Sequence, residues 1–512
     1  MSVNRSTAVR ARRRAAAAAG VLAALCLATS AAIAAPATVL WERNLVPGIA
    51  DRAYPYNHAF DPIVATDPLH PKRLAVSYHF YPTSRKPCGV SVPGLRVSLD
   101  GGETWQTAAK KPWGGSGRKP NWHATITWGP GPTPGTTRLY WADTTASTCS
   151  YTDHRLSVAY TDDFGATWSP LFTYTGTPAT LGGYPDITVD RNPASPNYGV
   201  VYATINWFPS SSHEPGMRII ASRNYGKTWS AAEVPPLASP AGYPFSYRIG
   251  YRLRTAPGGS LYASFCQTDR KSPSGAIGRL AYGVARVSFD RATGKFTPRT
   301  PVLATKVGLN GYNLSSTYAP GTSDRTRLGT CWSHGLDIDV QGRVYLALSN
   351  YRPSAAASEP RGVIRLGRSD DRGRTWNWQR LPFMGPVGGR QQSAHKPMLA
   401  VSGPTVFVGF HVLSDFPIGT GATTAATIGN AYTISYDRGA SWTTPAAISG
   451  ARWSPEWLDP ARQRAGLRDR AEVTADGRVF YAYGDGRDAA AKPDPRWGRG
   501  QIYGTLVSLG SP

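Results

Sequence analysis

Short runs of apolar residues recur along the chain, and tight turns of Gly, Pro, Asp or other polar residues separate them in pairs. Residues 337–340 and 344–347 form one such pair, and residues 398–401 and 406–409 form another. Similar pairs begin near Pro62, Thr125, Asp186, Ile249 and Glu472. Runs of this length, rich in Val, Tyr and Ala and bounded by turn residues, predict β-strands joined as hairpins.

A second pattern, S/T-x-D-x-G-x-T-W, lies between these pairs. The intact copies span residues 98–105, 161–168, 222–229, 369–376 and 435–442, and a decayed copy spans residues 288–297. The Asp, replaced by Asn224 in the third copy, can accept hydrogen bonds from the backbone of a turn. The Gly can adopt a positive φ, and the Trp can cover the neighbouring sheet. We call these segments box turns and predict that each closes a β-hairpin.

The two patterns together form a unit of four antiparallel strands, A to D, with the box turn between C and D. The unit recurs seven times, with a typical period of about 60 to 66 residues. This repetition predicts an all-β, seven-bladed β-propeller, with six blades and one irregular unit as the alternative. The last unit, which ends at residues 501–507, lacks a box turn, and residues 38–41 can supply its outer strand. We therefore expect residues 35–512 to form a single domain closed by pairing of the N- and C-terminal strands.

The first 34 residues have the composition of an export signal. Five Arg precede residue 15, residues 15–32 are apolar, and Ala32-Ile33-Ala34 offers a small-residue cleavage site. A signal peptide over residues 1–34 predicts a secreted protein, either extracellular or periplasmic, and no later stretch is long and apolar enough to predict a membrane span. Removal of these five Arg lowers the formal net charge of +24 to about +19.

Composition and spacing narrow the range of partners. The Arg residues are scattered and form no basic run after the leader, so nucleic acid is not an expected partner. The spacing of the four cysteines after the leader matches no zinc motif and no EF-hand-like spacing occurs, so no cofactor is expected, with structural calcium near acidic loops left open. A monomer is expected.

Four cysteines follow the leader, and an even number in an exported chain predicts two disulfides. Four cysteines allow three pairings. Cys88 and Cys149 lie in B–C connections of adjacent units, while Cys266 ends strand B of the fourth unit and Cys331 precedes strand A of the fifth. These positions favour the pairs Cys88–Cys149 and Cys266–Cys331.

The box turns resemble the Asp-box (BNR) repeats of the sialidase-like propeller superfamily, and the resemblance covers nearly all of the chain after the leader. It implies the fold more specifically than any activity, because that superfamily includes sialidases, other glycosidases, polysaccharide lyases and binding proteins. A sialidase would imply an arginine triad for the substrate carboxylate, a Tyr nucleophile aided by Glu, and an Asp acid/base. The R-I-P motif of sialidases is absent before the first box turn, and the nearest fragments are Arg218-Ile219-Ile220 and Arg248-Ile249-Gly250.

Polar residues gather where A strands start and B strands end, which is the face opposite the box turns. Side chains that converge on the axis at that face would form a pocket. The candidate catalytic residues are Asp61, Tyr184, Tyr247, Asp337 and Glu472. The candidate substrate-binding residues are His123, Arg248, His334, Arg352, His395, Lys396, Arg470 and Arg487.

Three functions remain open, and the favoured one is a glycoside hydrolase of sialidase type (exo-α-sialidase-like) that acts on an acidic oligo- or polysaccharide. Its carboxylate-binding residues would be Arg248, Arg470 and either Arg352 or Arg487. Tyr184 or Tyr247 would be the nucleophile with Glu472 as base, and Asp61 or Asp337 would be the general acid.

The second function is a polysaccharide lyase on a uronic-acid polymer, which needs a cation and a proton-abstracting base but no carboxylate pair. The residues that suit this chemistry are His123, His334, His395, Lys396 and Tyr247. The third is a propeller that binds carbohydrate or protein without turnover.

Overall fold

The structure is a computed structural model. It describes residues 36–47, 59–80, 92–114, 116–147, 154–175, 180–181, 185–208, 216–234, 247–268, 279–308, 333–351, 362–385, 392–414, 427–453, 469–487 and 500–510.

The described chain contains 30 β-strands, which form seven antiparallel sheets. Each sheet is one blade, and its strands A to D run outward from the axis of the propeller. The prediction of a seven-bladed β-propeller is therefore confirmed, and the six-bladed alternative is wrong.

Blades 1 to 4 follow one another along the chain. Blade 1 contains β2 (Ala59–Thr66), β3 (Leu74–Phe80), β4 (Val92–Ser98) and β5 (Gln106–Thr107). Blade 2 contains β6 (Lys119–Pro130), β7 (Thr137–Ala146), β8 (Arg155–Thr161) and β9 (Phe172–Thr173). Blade 3 contains β10 (Thr180–Leu181), β11 (Asp186–Val189), β12 (Val201–Phe208), β13 (Gly216–Ser222) and β14 (Ser230–Val234). Blade 4 contains β15 (Tyr247–Thr255), β16 (Leu261–Thr268), β17 (Arg279–Asp290), β18 (Lys295–Pro298) and β19 (Val302–Gly308).

Blades 5 to 7 complete the ring. Blade 5 contains β20 (Gly335–Ile338), β21 (Val344–Tyr351), β22 (Gly362–Ser369) and β23 (Asn377–Arg380). Blade 6 contains β24 (Gln392–Ser402), β25 (Thr405–Ser414), β26 (Ile428–Ser435) and β27 (Ala446–Ala447). Blade 7 contains β28 (Arg470–Val473), β29 (Val479–Asp485), β30 (Gln501–Ser508) and, at its outer edge, β1 (Thr38–Asn44).

Two blades have a strand that is split in two. In blade 3, β10 and β11 both pair with β12, so together they occupy the innermost position. In blade 4, β18 and β19 both pair with β17 and share the outermost position. Each blade thus keeps four strand positions.

The box turns close the C–D hairpins, as the turn at residues 369–376 illustrates. The Asp371 carboxylate accepts hydrogen bonds from the Thr375 backbone N–H at 2.9 Å and the Thr375 hydroxyl at 2.6 Å. The Gly373 N–H donates to the Ser369 hydroxyl at 2.7 Å. Arg372 and Gly373 have φ of 66° and 85°, so the turn places two successive residues in the left-handed region.

The N-terminal strand β1 is the outer strand of blade 7 and joins it to blade 1. Val39 pairs with Val507 and Asn44 pairs with Tyr503, so β1 and β30 run antiparallel. The Trp41 indole N–H donates to the Gly101 carbonyl at 3.1 Å, within the box turn of blade 1. A Cβ at Gly102 would lie 2.2 Å from Trp41 Cζ2, so only glycine allows this contact.

The hydrophobic core is divided among the interfaces between blades. There are seven clusters of buried apolar residues among the described residues, and each is shared by two adjacent blades. The cluster that closes the ring packs Val64 and Val76 of blade 1 against Phe480 of blade 7. Each blade therefore depends on both neighbours to bury its faces. No helix in the described ranges could cross a membrane.

Candidate functional site

A cavity of about 490 Å³ lies on the propeller axis, and residues from the inner strands of all seven blades line it. Residues of the A–B turns, such as Asn192 and Pro257, also line it. The cavity therefore occupies the end of the central channel that lies next to the box-turn face. We call it the axial pocket, and its charged lining residues are Arg191, Arg254, Asp337, Asp339, Arg470 and Glu472.

Three acids on alternate blades connect inner strands around this channel. Asp186 of blade 3 accepts a hydrogen bond of 2.8 Å from the Leu253 N–H of blade 4. Asp337 of blade 5 accepts one of 2.8 Å from the Val401 N–H of blade 6. Glu472 of blade 7 accepts one of 2.8 Å from the Thr66 N–H of blade 1. Each acid thus satisfies a backbone donor on the exposed edge of the next inner strand.

Three arginines pair with the same acids. Arg470 of blade 7 forms a buried ion pair with Asp186 of blade 3. Arg191 Nη1 lies 2.8 Å from Glu472 Oε1, and Arg254 Nε lies 3.4 Å from Asp337 Oδ1. The charges of these three pairs balance, and two of the pairs join blades 3 and 7 across the channel.

The pKa of Asp337 is shifted by its position in this pocket. Burial raises the pKa of its carboxyl, while the Arg254 charge and the backbone hydrogen bonds from Ile338 and Val401 oppose that rise. A carboxyl group with a raised pKa is easier to protonate, which general-acid catalysis requires. Asp337 is therefore still a candidate general acid.

A second group of charged residues lies where the inner strands of blades 1 and 6 begin. Both strands contain a bulge, between Phe60 and Ile63 in β2 and between His395 and Met398 in β24. Asp61 and Lys396 lie in these bulges with φ of 53° and 52°. Non-glycine residues rarely adopt this conformation, and bulges in strands redirect side chains and occur often beside functional sites.

The residues around these bulges are buried and act on one another electrostatically. Lys396 and His395 are each 2% exposed. Burial lowers the pKa of Lys396, and the negative charges of Asp469 and Asp61 oppose the decrease. Burial lowers the pKa of His395 to about 3, and the nearby His411 and Lys396 side chains add to the decrease. We call this group the bulge cluster, and it comprises Asp61, His395, Lys396, His411 and Asp469.

The predicted site residues divide between these two places. Asp337, Arg470 and Glu472 line the axial pocket, whereas Asp61, His395 and Lys396 belong to the bulge cluster. The first three therefore lie at the turn end of the channel and not at the face where strands begin. The reason is the length of β20 and β28, which have only four residues each, so that even their first residues are close to the A–B turn.

Two further predicted residues have other partners. The His334 Nε2 lies 2.8 Å from the Ser264 hydroxyl, between blades 4 and 5. Arg487 pairs with Glu42 of β1 at 2.8 Å and with Asp485 at 2.8 Å, and it does not line the axial pocket.

The remaining predictions lie outside what the structure describes. Tyr184, Arg352, Cys88, Cys149 and Cys331 fall outside the described residues, as do the side chains of His123, Tyr247 and Arg248. The side chain of Cys266 is fully buried in β16. Its pairing with Cys331, and that of Cys88 with Cys149, stay predictions.

Five charged residues of these sites were not among the candidates, namely Arg191, Arg254, Asp186, Asp339 and Asp469. Arg191 and Arg254 lie near A–B turns. The strand pattern predicts the pocket at the other end of the channel, so it gave no signal for residues beside these turns. Asp186 is the first residue of β11, as Arg470 is of β28, so its position in the repeat could have indicated it as a site residue. Asp469 precedes Arg470 directly, but nothing in the sequence indicates its contact with His411. Within the described ranges, no group of three or more His, Cys, Asp or Glu side chains could hold a metal ion.

The similarity of the chain to known proteins is remote. No protein-family model and no curated protein matches the chain. An ulvan lyase of polysaccharide lyase family PL25 is similar at 12% identity and a TM-score of 0.48, with 90% of this chain and 96% of that chain covered. A GH93 α-L-arabinofuranosidase of Fusarium graminearum is similar at 10% identity and a TM-score of 0.41, with 92% and 98% covered. The endosialidase of phage phi92 is similar at 11% identity and a TM-score of 0.39, with 92% and 69% covered. At this identity and similarity, the chemistry of the chain has to be argued from its own residues.

Proposed function

We propose that the chain is a secreted enzyme that cleaves an acidic glycan by elimination, with Lys396 as the base that removes the proton. The single observation that carries the proposal is Lys396 itself, a buried lysine held in a left-handed backbone conformation at a bulge of an inner strand. Lysine has no local reason to adopt this conformation, since it costs about 1 to 3 kcal/mol, so surrounding structure must impose it.

The chemistry of elimination defines what the site must supply. A base takes the proton from the carbon next to the carboxylate of a uronic acid, and the electron pair of that C–H bond forms a carbon–carbon double bond. The bond from the neighbouring carbon to the glycosidic oxygen breaks, and that oxygen takes up a proton. A cation near the carboxylate is needed to stabilise the negative charge that develops.

Within the bulge cluster, Lys396 is a better base than His395. Burial lowers the pKa of Lys396 and so increases its neutral, proton-accepting fraction at a given pH. The imidazole of His395 is neutral at physiological pH, but a pKa of about 3 makes it a weak base. We assign the base to Lys396 and assign to His395 the role of excluding water beside it.

The other roles in this proposal come from sequence-based expectations. Arg248 and Arg352 are proposed to neutralise the substrate carboxylate, and His123 or Tyr247 to protonate the departing oxygen. The strand pattern of the sequence predicts all four at strand starts or strand ends, on the face where the A strands start. Export, two disulfides and a monomeric state are parts of the same proposal.

Hydrolysis in the axial pocket is the second candidate, and the raised pKa of Asp337 favours it. Asp337 would act as general acid, Glu472 as the second carboxylate, and Arg191, Arg254 and Arg470 would bind an acidic sugar. Against it, each of these acids already pairs with an arginine and accepts a backbone hydrogen bond, so a substrate would have to displace these partners.

A substrate screen tests the proposal. The exported chain would be incubated with uronic-acid polysaccharides and with sialosides, while new reducing ends and ultraviolet absorbance are followed together. Elimination predicts that both signals rise on a uronic-acid polymer. Reducing ends without new absorbance would support hydrolysis, and saturable binding without either signal would support a binding propeller.

A further inference from the structure

Within the part of the chain that the structure describes, one carboxylate oxygen of Asp469 accepts a hydrogen bond and the other has no partner. Its Oδ2 lies 2.6 Å from His411 Nε2, and the two side chains are 1% and 4% exposed. Among the described residues, its Oδ1 is buried and has no hydrogen-bond partner. A buried carboxylate oxygen in this state costs free energy, so its retention calls for an explanation.

The strand register places this carboxylate close to the bulge of β24. His411 of β25 is paired with His395 of β24, and Lys396 directly follows His395. His411 therefore links Asp469, which precedes β28, to the residue beside Lys396. Two negative groups act on Lys396, Asp61 from blade 1 and Asp469 from blade 7, and His395 and His411 of blade 6 are the other titratable groups of the cluster.

We infer that Asp469 is the positioning residue for Lys396: His411 fixes the carboxylate, and Oδ1 receives the ammonium group that Lys396 becomes when it takes the substrate proton. The inference rests on the proposed elimination. A buried lysine that gains a proton gains an unfavourable charge, and a fixed carboxylate oxygen stabilises that charge in the transition state as well as afterwards. In this inference Asp469 Oδ1 is the acceptor for that charge as it develops.

The variant Asp469→Asn keeps the shape of the side chain and removes its charge. Turnover should fall roughly 10- to 100-fold, the rate equivalent of one hydrogen bond to a charged group, with little change in KM. Because the Asp469 charge raises the pKa of Lys396, its removal should also move the acid limb of the pH–rate profile to lower pH. An unchanged limb would overturn the inference, because a merely structural role predicts lower activity without that shift.

Asp485→Asn is the matched control. Asp485 is also a buried carboxylate of blade 7, and both acids act on Tyr481, but its charge is paired with Arg487 and does not act on Lys396. Its removal should leave the acid limb where it is. If Asp469→Asn does not fold, His411→Gln and His411→Ala provide the test, since glutamine can still donate a hydrogen bond to Asp469. The inference is supported if the His411→Gln variant keeps activity and the His411→Ala variant loses it. Equal activity of the two variants overturns it.

A titration of Lys396 in the whole chain separates this inference from the proposed function. Carbon-13 labelling of lysine side chains, with the Lys396 signal assigned from Lys396→Arg, reports its pKa without any substrate. Asp469→Asn should lower that pKa relative to the wild type, and an equal or higher pKa would overturn the inference. An unreactive wild type with the expected Lys396 titration would reject the elimination and leave the coupling of Asp469 to Lys396 in place.

Discussion

The Asp186 carboxylate in blade 3 accepts a hydrogen bond of 2.8 Å from the backbone N–H of Leu253 in blade 4. Its other oxygen pairs with Arg470, which belongs to blade 7 on the opposite side of the channel. One buried acid thus connects three blades, and Asp337 and Glu472 make comparable contacts between other blades. The acids of the inner strands therefore contribute to closing the ring.

We expect Asp186→Asn to destabilise the protein by about 3 to 5 kcal/mol, because it leaves the Arg470 guanidinium buried without a counter-charge. The free energy of unfolding in urea measures this effect. The control is Glu103→Gln, which breaks the surface pair of Glu103 with Arg43, where Glu103 is 63% exposed. That change should cost less than about 1 kcal/mol. Similar losses for the two variants would contradict the proposed role of Asp186.

The box turn at residues 369–376 should stabilise the protein in a way that depends on pH. Hydrogen bonds from Thr375 lower the pKa of Asp371 from 3.8 to about 2. Its contribution is therefore present above the ordinary value of 3.8 and is lost as the pH falls through about 2. Asp371→Ala should cost about 1 to 2 kcal/mol at neutral pH, and the difference from the wild type should disappear in acid.

Asp371→Asn is the control for this turn, because the box turn at residues 222–229 uses Asn224 at the same position. The Asn224 side chain accepts a hydrogen bond of 2.9 Å from the Thr228 N–H. The asparagine variant should therefore retain more stability than the alanine variant. Equal unfolding free energies for alanine and wild type at neutral pH would show that the turn does not depend on Asp371.

The contact between β1 and blade 1 can be tested with two glycines that both have a positive φ. A Cβ at Gly102 would lie 2.2 Å from Trp41, whereas a Cβ at Gly117 would have no atom within 4 Å. Gly117→Ala should cost only the backbone strain of about 1 to 2 kcal/mol. Gly102→Ala should cost clearly more, since it also displaces Trp41 from the closing strand. Equal midpoints in urea for the two variants would contradict this account.

The role of Lys396 predicts a specific loss of activity. Lys396→Met keeps an unbranched apolar side chain and removes the base, so turnover should fall roughly 10²- to 10⁴-fold. Lys295→Met is the control, because Lys295 is exposed in β18 on the outer edge of blade 4. Steady-state rates on the best substrate of the screen measure both. Turnover by Lys396→Met at the wild-type rate would exclude Lys396 as the base.

The repeat in the sequence was sufficient to predict seven blades, because each copy carries its own turn residues and its own apolar strands. The placement of the candidate residues followed less well from the same pattern. Asp337 and Glu472 lie near strand starts in the sequence, but the short strands β20 and β28 bring them close to the A–B turns. The position of a side chain along the channel depends on the residue at which its strand begins. The apolar periodicity of the sequence does not specify that residue.

The contacts that define the two charged sites connect residues far apart in the sequence. Asp186 and Arg470 meet across the channel, and Asp469 reaches His411 from the neighbouring blade. Such contacts follow from ring closure and from side-chain orientation, which a single repeat unit does not contain. The apolar pattern also does not predict the bulges at Asp61 and Lys396. Each of these residues is followed by proline, and this shared feature could have indicated the bulges.

The ratio of unsaturated chain ends to new reducing ends, measured during digestion of a uronic-acid polysaccharide by the wild-type chain, tests the central claim most directly. Elimination by Lys396 predicts one ultraviolet-absorbing double bond for every glycosidic bond that is cleaved, and the loss of both signals together in Lys396→Met. Cleavage that yields reducing ends without double bonds, at a rate that Lys396→Met leaves unchanged, would contradict the account.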